Sequence, residues 1–222
     1  MIKIEALTNW IVTSYYPIMP SDQNPKHLPA DERRTVTVEA VVALAAQQNP
    51  TDITTAAIAQ HMGLTQGAIF RHFPSKESIV QSVLDWVSDK LMGRVNKAAQ
   101  TQQSPMAALE AVFMAHMGFI SEHPGAPRML LAELQKSGDT IPKRMVVTLM
   151  TNYRARIVEL LDKGKACGEV SAELDLDAAS TLYVGMIQGL VIQSLAKADP
   201  DYLMANASKT FAVFKRGLMC AN

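Results

Sequence analysis

Two cysteines in 222 residues, Cys167 and Cys220, are too few and too scattered for a disulfide framework or a thiolate metal site. Neither has a histidine or basic cluster beside it, so both read as structural thiols of a protein kept in a reducing cytoplasm. An excess of either charge is missing as well: 21 Lys plus Arg stand against 21 Asp plus Glu, so any cationic surface must be local. Aromatic residues are scarce at 6%, whereas 13 methionines fill apolar positions, mostly as adaptable core. The sequence shows no apolar run that reads as a bilayer span. No nucleophile stands beside a base, no glycine-rich loop would cradle a phosphate, and no HExxH occurs, which argues against an enzyme and against a bound cofactor. His116 and His123 lie seven residues apart with no carboxylate placed to complete a metal site.

Residues 1–30 carry Pro17, Pro20, Pro25 and Pro29, which prevent a long helix. The segment lacks the long apolar stretch and cleavage site of a signal peptide, and it is expected to be a loosely ordered extension. From Asp31 onward the pattern is helical. Val38, Val41, Val42 and Ala45 share one face, and the segment stops at Gln48-Asn49-Pro50. Helices follow at 56–62, 65–73 and from Ser75 onward, then at about 106–122, 126–137, 141–164, 175–197 and 200–218. Pro and Gly residues punctuate them and no strand alternation appears, so the fold class is all-α.

Thr54 to Phe73 has the layout of a helix-turn-helix. Thr54-Thr55 offers an N-cap to the first short helix, and Gly63 can take the positive φ that reverses the chain. Ala59 leaves room for a second helix to cross, and Leu64 can plug the gap. In the second helix Ile69 and Phe73 share the inward face. Gln66 with Phe70, and Gly67 with Arg71, look outward. A glycine inside a helix costs about 1 kcal/mol relative to alanine, which close approach to a bulky partner would justify. Ser75 caps the next helix, and Lys76 at its N-terminus, beside free N–H groups, suits a phosphate.

The segment TTAAIAQHMGLTQGAIFRHFPSKESIV resembles the DNA-binding part of the TetR family of bacterial transcriptional repressors. The Thr-Thr opening, Ile58-Ala59, Gly63, Gly67, Ile69, His72-Phe73 and Ser75-Lys76-Glu77 carry the resemblance, in order and at the family's spacing. A weaker likeness lies in GKACGEVSAELDLDAASTLYVGMIQGL, where a Gly…Gly…Asp-Leu-Asp loop leads into a helix. The resemblance implies a DNA-binding domain at 31–78, a helical effector-binding and dimerisation domain at 79–222, and a homodimer on double-stranded operator DNA. By position, Thr54 and Thr55 would touch phosphates, and Thr65, Gln66, Gly67 and Ala68 would lie in the major groove. Phe70, His72 and Lys76 fall at further backbone-contact positions, and Arg33 and Arg34 at or before the start of the first helix. Phe70 stands where the family usually has Tyr, so a hydroxyl contact to phosphate is lost.

In the larger domain Gly185 and Gly189 lie on one apolar helix, and Phe211 and Phe214 on the last. The family likeness implies that these two helices meet their copies in a four-helix bundle. The reading helices would then stand about 34 Å apart. An unidentified small apolar or amphipathic effector would be lined by Phe113, Met114, Met117, Met129, Met150, Tyr183 and Met186, some of which are ordinary core. The expected function is a ligand-responsive repressor. Two alternatives are a DNA-bound adaptor whose C-terminal domain binds a protein, and a helical enzyme with a vestigial DNA-binding head.

Overall fold

The computed structural model describes residues 29–199 and 201–219. The expected extension over residues 1–30 lies almost wholly outside them, as does Cys220. Nine α-helices and one 3-10 turn make up the described chain, with no strand among the described residues. They are α1 Ala30–Gln47, α2 Thr55–His61, α3 Gln66–Phe70, α4 Lys76–Gln100, α5 Pro105–Glu122, α6 Gly125–Gln135, α7 Ile141–Ala166, α8 Leu176–Lys197 and α9 Tyr202–Leu218. The 3-10 turn, Pro50–Asp52, follows α1.

Local chemistry sets most of the boundaries. Thr54, Thr65, Ser75, Ser104, Thr140 and Asp175 each accept a hydrogen bond from a backbone N–H in the first turn of the helix that follows. Ser75 and Ser78 bond reciprocally and start α4, which then runs for 25 residues. The helix expected over 65–73 is shorter: α3 ends at Phe70. His72 and Phe73 both donate to the Ile69 carbonyl, so the chain tightens before Pro74 can stop it.

One apolar core runs from α1 to α9. In the N-terminal part Val38, Val41, Ile58, Ile69 and Phe73 are buried together with Ile79 and Val83 of α4. That long helix therefore belongs to both layers. In the larger part, α4, α5, α7, α8 and α9 pack around Phe113, Tyr183, Phe211 and Phe214, whose rings meet at centroid distances of 5.5–6.0 Å.

Two expectations about the larger part are corrected here. Phe211 and Phe214, expected at a subunit interface, are 1% and 3% exposed inside their own chain. They are the largest apolar side chains on α9, and the aromatic cluster leaves them nothing to offer a partner. The outer faces carry Leu182, Ile192 and Leu195 of α8 and Met204 and Val213 of α9 instead, all exposed. Second, α8 is long and apolar enough to cross a membrane by length and composition alone, contrary to the reading that no such run exists. Its apolar residues lie on all sides, so one face enters the core and another remains uncovered.

Helix α6 joins the two parts. A Cβ on Gly125 would stand 1.9 Å from the Val42 carbonyl oxygen and 2.9 Å from the Ala46 nitrogen, both backbone atoms of α1. Arg128, one turn on, donates to the Gln48 carbonyl at 3.3 Å. Gly→Ala in a helix ordinarily stabilises by up to about 1 kcal/mol. At Gly125 the sign should reverse: Gly125→Ala is expected to cost about 1–3 kcal/mol because two backbones must separate. Denaturant unfolding checks this, and an unchanged or raised midpoint would contradict the close approach.

Candidate nucleic-acid interface

Helices α2 and α3 cross through the turn Met62-Gly63-Leu64. Gly63 has φ +65°, as the chain reversal requires, and Leu64 donates to the Ala59 carbonyl at 2.8 Å, which closes α2. Ile69 and Phe73 are buried against α1 and α2. On the opposite side Thr65, Gln66, Gly67, Phe70 and Arg71 are exposed, and Ala68 is half-buried. Phe70 keeps 45% of its surface exposed, too much for a structural aromatic in so small a unit. Nothing lies within 4 Å of a Cβ placed on Gly67, so its bare backbone faces open space.

Lys76 opens α4 beside this surface, with its ammonium donating to the Thr51 carbonyl at 3.0 Å. The positive end of a 25-residue helix, its first free N–H groups and this ammonium therefore gather at one edge of the reading surface.

Several predicted residues sit here in roles the sequence did not reveal. Gln66 donates through Nε2 to Thr55 Oγ1 at 2.6 Å, and Thr55 is buried. The Thr55 hydroxyl, expected on a phosphate, faces inward and steadies α3 against α2. Only the exposed Thr54 presents its side chain at that end, while also capping α2. Arg33 and the half-buried His72 are hydrogen-bonded at 3.2 Å, and Arg34 donates to the His72 carbonyl at 3.0 Å while its guanidinium lies over the Phe73 ring. The two arginines thus strap α1 to the end of the reading helix.

A second feature lies away from this surface. A groove of about 400 Å³ between α4 and α5 is lined by Arg94, Lys97, Thr101, Ala115, Gly118 and Glu122, among others. The Arg94–Glu122 ion pair spans it at 2.5 Å. The hydrogen bond from Arg94 holds the Glu122 carboxyl below the usual carboxylate range. Trp86, Phe119 and His123 stack beside it. Of the expected effector lining, Phe113, Met117, Met129 and Tyr183 are buried in the core, and Met114, Met150 and Met186 are half-buried. No group of three or more metal-ligating side chains occurs among the described residues.

An exposed short helix behind a glycine turn, fixed from within and edged by a helix N-terminus, has the geometry of a helix-turn-helix unit. Residues 38–83 match the family model for bacterial regulatory proteins of the tetR family. This segment of the chain is thus similar to the DNA-binding part of TetR-family regulators. The chain is similar to the nucleoid occlusion factor SlmA of Marinomonas sp. (strain MWYL1), 30% identical over 118 residues, which are 53% of this chain and 59% of that protein. The SlmA of Yersinia enterocolitica is 33% identical over 78 residues, 35% of this chain and 39% of that one. The matched region therefore spans well under two thirds of these relatives. Among solved structures, the fold is shared with the ketosteroid regulator KstR2 of Mycobacterium tuberculosis (TM-score 0.71, 21% identity, covering 85% of this chain and 96% of that one). It is shared also with the fatty acid degradation regulator FadR of Bacillus halodurans (TM-score 0.74, 19% identity, covering 83% and 95%). The FadR of Bacillus subtilis, solved with stearoyl-CoA, has a TM-score of 0.72 at 18% identity and covers 83% and 98%. The solved neighbours named are regulators.

His116 supplies a pH dependence. Burial pushes its pKa down from 6.5 to about 4. As pH falls below 6.5 the unfolded chain takes up a proton that the folded chain refuses until about pH 4, so stability drops across that window. The loss from this residue has a ceiling of about 3 kcal/mol. Unfolding midpoints should decline over that window and decline less in His116→Phe; parallel curves for the two proteins would contradict the burial.

Proposed function

We propose that this protein is a ligand-responsive transcriptional repressor that binds palindromic operator DNA as a homodimer and is released by a small apolar or amphipathic effector. The observation that carries the DNA half is the outward row of Gln66, Gly67, Phe70 and Arg71 beside the Lys76 helix start. Thr65, Gln66, Gly67 and Ala68 would enter the major groove, Gln66 exchanging its bond to Thr55 for one to a base edge. Thr54, Phe70, Arg71 and Lys76 would face the flanking backbone. Arg33, Arg34 and His72 would hold the reading helix at its angle.

The dimer reading rests on the exposed Leu182, Ile192, Leu195, Met204 and Val213, with Gly185 and Gly189 open to close approach on the same helix. The effector reading rests on the half-buried Met114, Met150 and Met186 around the aromatic core, and on the regulators of ketosteroid and fatty-acid genes among the structural neighbours. Release would travel through α6, which packs α1 at Gly125 and continues to α7. An effector that favours one spacing of the two reading heads would lower DNA affinity by linkage.

A second reading, a DNA-bound adaptor, is favoured by the relatives' name of nucleoid occlusion factor and by the open α4–α5 groove, a surface a protein partner could meet. The two readings separate on whether any small molecule dissociates the complex.

Fluorescence anisotropy with the DNA upstream of the protein's own gene tests the DNA contacts. Lys76→Ala should weaken specific and non-specific DNA alike and lower the salt slope by about 0.9, as the loss of one phosphate contact does. Gln66→Ala should change preference at particular base pairs. Equal loss of discrimination in both would sink this division. Gly67→Leu should abolish operator binding with the fold intact, since open space surrounds the new side chain.

For the dimer, Leu182→Asp with Ile192→Asp should give a folded monomer in sedimentation, while Phe211→Ala should cost about 3–5 kcal/mol of stability. A dimer surviving the double charge would displace the interface from this face.

A further inference from the structure

Two residues that each open a helix are tied to one another in the helix-turn-helix. Thr55 is the first residue of α2 and Gln66 the first of α3, and Gln66 Nε2 donates to Thr55 Oγ1 at 2.6 Å. The two ends of this bond stand in different surroundings. Thr55 is 9% exposed, whereas Gln66 lies on the open surface between Thr65 and Gly67. Among the described residues the Gln66 amide is the one hydrogen-bond partner of the Thr55 hydroxyl. An exposed amide can turn to water at little cost. The hydroxyl beneath it cannot, because burial removes the water that would replace its partner. Helix α3 has other anchors, namely the buried Ile69 and the bond from Leu64 to the Ala59 carbonyl, so it stays seated when the amide leaves.

This asymmetry sets a condition on what Gln66 can read. To reach a base edge the amide must leave Thr55 and strand a buried hydroxyl. A single hydrogen bond to a base only replaces the one given up. In the major groove guanine offers acceptors alone, cytosine a donor alone and thymine an acceptor alone, so half of the amide finds no partner on any of them. Adenine sets an acceptor, N7, next to a donor, N6, and one amide matches both through Nε2 and Oε1. Two bonds outweigh the one lost.

We propose that Thr55 is a positioning residue that latches Gln66 in the free protein, and that Gln66 leaves the latch only for adenine. On any other base Gln66 stays on Thr55 and adds nothing to affinity. The latch therefore lowers affinity for the correct site, and removing it raises that affinity. This inference rests on the DNA-binding reading and deepens it: it names the base, and it adds to the specificity-governing residues one whose hydroxyl lies beneath the reading surface.

The test uses the full-length protein. Selection from randomised duplexes first locates the base pair whose preference disappears in Gln66→Ala, and that pair should be A·T. Fluorescence anisotropy then compares a duplex with adenine there and one with 7-deazaadenine, which lacks the N7 acceptor. Thr55→Val keeps the side-chain shape and removes the hydroxyl. It should bind the adenine duplex about fivefold more tightly than wild type, the worth of one neutral hydrogen bond, and gain about twofold or less on the other. Thr55→Ser, which keeps the hydroxyl, should match wild type. Added to Gln66→Ala, Thr55→Val should change nothing. In the wild type the nuclear Overhauser contact between the Gln66 amide protons and the Thr55 methyl should be present in the free protein, persist on the 7-deazaadenine duplex and vanish on the adenine duplex. That measurement decides the matter where Thr55→Val fails to fold. A Thr55 that touches phosphate or only supports the fold gives the opposite sign, with Thr55→Val weakening both duplexes alike, and overturns the proposal. So does a preferred base other than adenine, a gain in Thr55→Val that survives in Gln66→Ala, or a contact that persists on both duplexes; each leaves DNA binding standing. Folded protein that binds no duplex at low salt overturns the DNA-binding reading and the proposal with it.

Discussion

The backbone-to-backbone approach of α1 and α6 at Gly125 is the contact on which the working of this molecule turns. Without a side chain there, the Val42 carbonyl and the start of α6 come closer than any Cβ permits, and Arg128 then ties α6 to the end of α1. The remaining bridge between the two parts is α4, whose first turns are buried with the DNA-binding unit and whose later turns are buried in the larger domain. Two rigid connections fix the reading head on its support. The helix-turn-helix unit and the larger part are thus joined by two packed connections rather than by a flexible linker.

How much of this was legible in the sequence depends on how local each determinant is. The helix starts at Thr54, Thr65 and Ser75, the glycine turn and the inward Ile69 and Phe73 are set by residues within one or two turns of each other, and the structure shows them as expected. The outward row from Gln66 to Arg71 follows from the same periodicity. What could not be read were bonds between distant positions. Gln66 to Thr55, Arg33 to His72 and Lys76 to Thr51 span 11, 39 and 25 residues and decide which polar groups face inward. No pattern in one helix encodes them.

The larger domain shows the other limit. Helix α8 is apolar all round, so periodicity cannot say which of its faces is core, whereas α9 has one marked apolar face, Leu203, Ala207, Phe211, Phe214 and Leu218, and that face is buried. Phe211 and Phe214 were expected at the interface on the family likeness, but with Phe113 and Tyr183 opposite they are core. Leu182, Ile192 and Val213, unremarked among many aliphatic residues, are left outside. Gly185 and Gly189 do lie on that outer side, where small residues permit close packing of helices.

Zero net charge bears on the proposed DNA binding. A basic surface would bind any DNA tightly and leave little room for a modest effector energy to release it. In the proposed DNA complex the grip on phosphate would be drawn from helix ends and from a small number of cations, which would keep non-specific affinity low. Coupling free energies between sites are typically about 1–3 kcal/mol. An effector that favoured one conformation of the larger part by that much would shift the proposed DNA equilibrium only where non-specific affinity is not overwhelming.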